Sequence, residues 1–167
     1  SSSGADGTQA MMGIDVMSPY RVDAGISAIK KPVGPISPGI DTVKAIIFNY
    51  GKDTLKTTAL RWSVDNVGQS PPSNWSGSLI QFTTSGQVTF GTYNFTNGIH
   101  TIKAWTANPN GLTDSNAMND TAKIVLYSCS PASGTYVIDP TGSGDFLNFT
   151  AALTWIKNCG VSGAVTF

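Results

Sequence analysis

The sequence predicts an all-β chain: an immunoglobulin-like antiparallel β-sandwich of about seven strands, followed by a C-terminal strand–helix–strand segment. Three observations predict it. Short runs with period-two alternation recur at the spacing of antiparallel strands, separated by Gly-, Pro- and Asn-rich turns. Ser, Thr, Asn and Gly abound and all ten acidic residues are Asp, a composition poor in helix formers. Helical periodicity is absent before Asp145 and present after it.

Residues 1–22 carry Gly, Ser and Pro with little periodicity and read as a linker or the tail of a preceding unit. The sandwich is expected over 23–128. "DAGISAI" is its first strand, halted by the Pro- and Gly-rich "KKPVGPISPG". "DTVKAIIFNYG" places Val43, Ala45 and Ile47 on one face, and "TALRWSVDNVG" does the same with Leu60, Trp62 and Val64. "GQSPPSNWSG" reads as a solvated loop, with "SLIQFT" and "GQVTFGTYNF" as the strands after it. "GIHTIKAWT" sets His100, Ile102 and Ala104 against Thr101, Lys103 and Trp105. A turn-rich stretch, "ANPNGLTDSNAMND", precedes "TAKIVLYS", where Ala122, Ile124 and Leu126 share a face. Two such sheets can bury their apolar faces against each other.

From Cys129 the pattern changes. "GTYVIDP" is strand-like, Asp145 is placed to cap a helix, and Phe146, Phe149, Leu153 and Ile156 follow at helical spacing. Gly160 is a natural helix stop and "GAVTF" resumes as a strand. This segment, 129–167, buries little alone and needs a partner surface.

Composition narrows the function. Net charge is zero and charged residues are only 12% of the chain, with no basic block, so nucleic acid is not an expected partner. No apolar run approaches the ~20 residues that span a bilayer. The N-terminus has no signal-peptide pattern and no initiating Met, which reads as a mature or internal piece of a longer polypeptide.

No catalytic constellation emerges. His100 is the single histidine, no nucleophile motif such as G-x-S-x-G is present, and most Asp residues fall in turns, where they cap their own backbone. The chain is read as no enzyme and as having no cofactor. Calcium is the one ion worth weighing: the loop with Asn108 and Asn110 offers Asp114, Asn116, Asn119 and Asp120 as oxygen ligands, although the EF-hand spacing is absent and no Glu closes a site. The alternative is an Asn/Asp-rich turn held by its own side chains. Of four tryptophans, Trp62 aligns with the core. Trp155 lies off the helix stripe and is expected to pack on the preceding domain. Trp75 and Trp105 are left as platforms for a sugar or a protein. Asn74, Asn94, Asn119 and Asn148 head N-x-[ST] sequons. Cys129 and Cys159 are expected to form a disulfide closing the strand–helix element, the alternative being two buried thiols.

The order of "DAGISAI", "VKAIIFNYGKDTL", "LRWSV", "WSGSL", "FGTYNFTNGIHTIKAWTANPNG" and "DSNAMNDT" resembles CARDB-like immunoglobulin-like modules of the bacterial adhesion-related kind. The tail "CSPASGTYVIDPTGSGDFLNFTAALTWIKNCGVSGAVTF" resembles the N-terminal cap segment that opens parallel β-helix regions in large secreted surface proteins of Bacteroidota-type bacteria. The resemblance implies an extracellular or cell-surface location and a non-enzymatic structural or interaction module, adhesin-like or part of an extracellular filament. Its partners would be neighbouring modules of the same polypeptide, other copies of itself, or surface glycans. The alternative it implies is a spacer or carbohydrate-binding accessory upstream of a carbohydrate-active β-helix enzyme. Asp41-Thr42, Asp53-Thr54 and Asp120-Thr121, each followed by an apolar residue, resemble the O-glycosylation pattern of such secreted proteins, with Thr42, Thr54 and Thr121 as acceptors.

Overall fold

The structure, a computed structural model, describes residues 20–167. In chain order the strands are β1 (Ala24–Lys31), β2 (Gly39–Asn49), β3 (Leu55–Val64), β4 (Val67–Gly68), β5 (Ser73–Leu79), β6 (Thr84–Phe95), β7 (Gly98–Ala107), β8 (Thr121–Ser128) and β9 (Ala132–Thr135). The helix α1 (Phe149–Cys159) and strand β10 (Val161–Thr166) complete the chain. One antiparallel sheet has the order β1-β2-β6. In the other, β3 pairs with β7 and β7 with β8, while β4 and β5 pair with β3.

The alternation read from the sequence builds the interface between the sheets. Val43, Ala45 and Ile47 of β2 face Leu60, Trp62 and Val64 of β3 and Ile102 and Ala104 of β7, all buried. Phe90, Phe95 and Leu126 also belong to this core, and Ile124 packs half-buried at its rim. Burying one such aliphatic side chain contributes about 1.5–3 kcal/mol. Trp62 sets a local requirement on β6. A Cβ on Gly91 would sit 2.7 Å from its indole, so the glycine and the adjoining bulge let the ring lie between the sheets. Asp65 and Asn66, both at positive φ, join β3 to β4 by the tight turn that suits strand twist.

Two expectations are corrected here. Only Ser78 and Leu79 of "SLIQFT" are strand: β5 begins within the expected loop, at Ser73, ends at Leu79, and pairs with β3 through Thr58↔Trp75 and Leu60↔Ser73. Residues 80–83 form a turn instead, with Phe82 at φ 59° and the Thr83 hydroxyl donating to the Ile80 carbonyl at 2.7 Å. The second concerns the helix. Asp145 does not cap it; its carboxylate accepts from the Val137 amide at 2.8 Å, and Phe146 lies before the helix, bridged to Ile138. Asn148 is the cap, accepting from the Ala151 amide at 2.8 Å. The amide side chain competes as well as a carboxylate for an orphan helix donor.

Residues 20–22, grouped with the linker in the sequence reading, bond to the sandwich. Tyr20 and Arg21 carbonyls accept from Lys52 and Asp53, and the Val22 carbonyl accepts from Ser115. The rest of 1–22 lies outside the described residues. In the tail, β9 and β10 pair in parallel with α1 as the crossover, and Cys129 and Cys159 are disulfide-bonded with Cα atoms 5.7 Å apart. Trp155 packs against Tyr136 and Phe146, at centroid distances of 5.1 and 5.3 Å, and also lines a 290 Å³ cavity with Ile99 and Tyr127 of the sandwich. Phe146 and Ile156 are half-buried, while Phe149 and Leu153 are about half exposed.

Candidate metal centre

The loop joining β7 to β8 folds back onto the start of β1. Its course is fixed by backbone bonds: Ile26 N–H donates to the Asp120 carbonyl at 3.1 Å and Ser115 N–H to the Val22 carbonyl at 3.0 Å. Asp114 organises the turn. Its carboxylate accepts from the Asn116 amide at 2.9 Å and from the Ala24 amide at 3.1 Å, so one side chain ties the loop to the strand.

This folding brings three carboxylates together. One oxygen from each of Asp23, Asp114 and Asp120 lies within 4.8 Å of the others. Asp23 is only 2% exposed and Asp120 9%. Oδ1 of Asp23, Oδ1 of Asp120 and Oδ1 of Asn119 are buried with no hydrogen-bond partner. A buried oxygen without a donor costs about 1–3 kcal/mol, more when charged, so these carboxylates are costly to hold together by themselves.

The electrostatics agree. Burial, reinforced by the charges of Asp114 and Asp23, pushes the Asp120 carboxyl up to about 7. Burial also raises Asp23; the nearby Asn119 and Asn116 amides oppose this and the Asp114 charge adds to it. Burial and the Asp23 charge raise the phenol of Tyr50. The centre therefore resists holding three negative charges by itself. Every ligand atom is oxygen, the chemistry of a hard divalent cation such as calcium rather than of zinc.

Of the calcium candidates read from the sequence, Asp114, Asn119 and Asp120 contribute side chains to the centre, and Asn116 closes the turn beside it. The carboxylate that the sequence reading missed is Asp23, ninety-one residues before Asp114. Only β1–β8 proximity joins them, and no local spacing signals that.

The other candidates are dispersed. His100 is buried; its Nδ1 lies 2.7 Å from Asp65 Oδ2 and its Nε2 2.9 Å from the Thr96 carbonyl, so both ring nitrogens are engaged structurally. Trp75 lies on a strand, not in a loop, on the inner face with its indole folded over Gly77 and against the core. Trp105 is half-exposed on the outer face, opposite Arg61. Asn74, Asn94, Asn148 and Thr121 are exposed, while Thr42, Thr54 and Asn119 are half-buried. Among the described residues no helix is long and apolar enough to cross a membrane.

The sequence matches no protein-family model and no curated protein. Solved structures do match the sandwich. The CARDB domain of a Pyrococcus furiosus protein, crystallised in complex with di-metal ions, superposes with a TM-score of 0.51 at 19% identity, over 66% of this chain and 96% of that one. The solution structure of that domain gives 0.50 over 66% and 97%. A domain from Methanosarcina acetivorans, from a protein assigned to the cell surface, gives 0.54 at 17% identity, over 69% and 98%. At these identities the likeness concerns fold: residues of the sandwich adopt the immunoglobulin-like architecture of CARDB domains, and a strand–helix–strand segment follows it.

Proposed function

We propose that this chain is a cation-stabilised, non-enzymatic structural and interaction module of a secreted or cell-surface protein, adhesin-like or fibre-forming. The observation that carries the reading is the cluster of Asp23, Asp114 and Asp120 carboxylates, in which Oδ1 of Asp23 and Oδ1 of Asp120 are buried and unpartnered. A divalent ion there would draw the β7–β8 loop onto β1 and so fix one pole of the sandwich. Asp23, Asp114, Asp120 and Asn119 would hold it, and the ion would supply charge neutralisation rather than reactivity. The di-metal complex of a similar domain and the surface assignment of another support this reading. So does the disulfide, which belongs to oxidising compartments.

A second reading has its own observation. β9 and β10 form a two-stranded parallel sheet, whereas parallel sheets are ordinarily larger and covered on both faces. Stacking of further parallel strands on that edge, as in the opening of a β-helix, would make the sandwich a spacer or accessory to a solenoid, and strand addition between copies would use the same edge.

The test is thermal unfolding with calcium or with chelator. Saturation at a hundred times Kd stabilises by about 2.7 kcal/mol, on the order of 10 °C or more for a domain this size. An identical midpoint under both conditions, above the pH at which Asp120 ionises, would overturn the reading.

A further inference from the structure

The outer face of the larger sheet is chemically one-sided. None of its strands, β3, β4, β5, β7 and β8, contains an acidic residue. Lys56, Arg61, Lys103 and Lys123 all point outward from it, although the whole chain is neutral. Lys56 donates to the Ser78 hydroxyl and Lys103 to the Asn66 side chain, both at 2.8 Å. Arg61 donates only to the Leu60 carbonyl, at 3.3 Å, and no ion pair engages it among the described residues.

Arg61 opens into a 450 Å³ groove, within the ~300–1,000 Å³ of small-ligand sites. Thr57 and Ala59 of β3, Asn74, Trp75 and Ser76 of β5, and Asn108 are among its other lining residues. The Asn108 wall is preformed. Asn108 and Asn110 both hold positive φ, and the Asn110 side chain is tied to β3 by bonds from the Lys56 amide at 2.7 Å and to the Thr54 carbonyl at 3.1 Å. Such backbone strain persists where the surroundings over-determine it. Directly across the strand from Arg61 stands Trp105, half-exposed on the same face. A guanidinium without an ion-pair partner, hydroxyls and amides around it, and a flat indole beside it form a combination suited to acidic sugars.

We propose that this face binds a carboxylated, uronic-acid-containing polysaccharide, Arg61 taking a carboxylate and Trp105 stacking on the adjoining ring. The planar guanidinium fork matches a carboxylate in two bonds. Asn74, Asn108, Thr57 and Ser76 supply neutral donors and acceptors for sugar hydroxyls. Lys103 and Lys123, farther along the face, attract the following acidic units. The site is distinct from the acidic pole, though one connection, residues 108–120, contributes to both.

The test is calorimetric titration of the full chain with a short galacturonic-acid oligosaccharide, a neutral gluco-oligosaccharide of equal length and a single-stranded oligonucleotide of equal charge, in one buffer. The acidic sugar should bind, the neutral sugar should not, and the oligonucleotide should bind at least tenfold more weakly. Arg61→Gln should weaken the acidic sugar at least tenfold, Arg61→Lys less, and Trp105→Ala severalfold. Lys44→Gln, on the opposite sheet, should leave binding within twofold. Unfolding midpoints confirm that each variant is folded, and Asn108→Ala, on the groove wall, replaces Arg61→Gln if that variant is not. Absence of binding by the acidic sugar, equal binding of the oligonucleotide, or equal losses from Lys44→Gln and Arg61→Gln would overturn the proposal.

Discussion

Asn119 lays its backbone carbonyl against Gly25, where any Cβ would collide with it. The contact seats the β7–β8 loop on β1 and sets the position of Asp120, whose carbonyl is bound by Ile26. Gly25→Ala should therefore act twice. It should cost about 1–3 kcal/mol by overpacking, and it should weaken calcium binding by displacing Asn119 and Asp120. Denaturant titration with and without calcium separates the two effects. A variant as stable as the parent, with unchanged calcium response, would show that the loop is not seated as described.

Stability without calcium should fall as pH rises from about 4 towards 7. The Asp120 carboxyl ionises near 3.8 unfolded and near 7 folded, so the folded chain binds more protons across this window and loses that advantage as pH climbs. Asp23, also raised, adds to the same slope. Calcium requires the ionised carboxylates, so its stabilising effect should grow through the same range and release protons. Melting curves over the pH series, with calcium and with chelator, check both signs.

His100 should give a dependence of the same sign at its own site. Burial pulls its pKa down, but the Thr96 carbonyl and Asp65 outweigh it and raise the value above 6.5. The imidazolium satisfies both acceptors at once. Its contribution is complete below the unfolded value and is lost as pH rises through the raised folded one. In calcium-saturated protein, His100→Gln should lose stability most at low pH and approach the parent at alkaline pH. A difference independent of pH would contradict an ionised pair.

Reducing the Cys129–Cys159 bond should release the tail and spare the sandwich. The closed loop is worth about 3–4 kcal/mol in chain entropy, and the tail has a small core, with Phe149 and Leu153 about half exposed. Limited proteolysis with reductant should cut near α1 and leave a fragment ending near Ser128. Equal protection of both segments, reduced or oxidised, would contradict this division.

The sandwich was legible because period-two patterns such as Val43-Ala45-Ile47 and Leu60-Trp62-Val64 report burial locally. β5 was not. "SNWSGSL" is polar because its outer face meets solvent at a sheet edge, and only its pairing with Thr58 and Leu60 makes it a strand. "SLIQFT" misled in the opposite sense, since Ile80 and Phe82 are apolar yet exposed in a turn. The helix was foreseen while its cap was displaced by three residues, because Asp145 and Asn148 are chemically equivalent as caps and tertiary bonding to Val137 claimed the first. The candidate centre was half visible. Asp114, Asn119 and Asp120 lie in one loop, but Asp23 joins them only through tertiary folding, and its burial is what turns an acidic turn into a centre.

Direct calcium binding tests the central claim best. Calorimetric titration at about pH 8, above the raised Asp120 value, should show saturable binding by the parent chain. Asp23→Asn, which keeps shape and removes charge, should weaken it at least tenfold, roughly 1.4 kcal/mol. Asp41→Asn, outside the centre, should leave it unchanged. Failure of the parent chain to bind calcium at millimolar concentration, or binding indifferent to Asp23→Asn, would contradict the account.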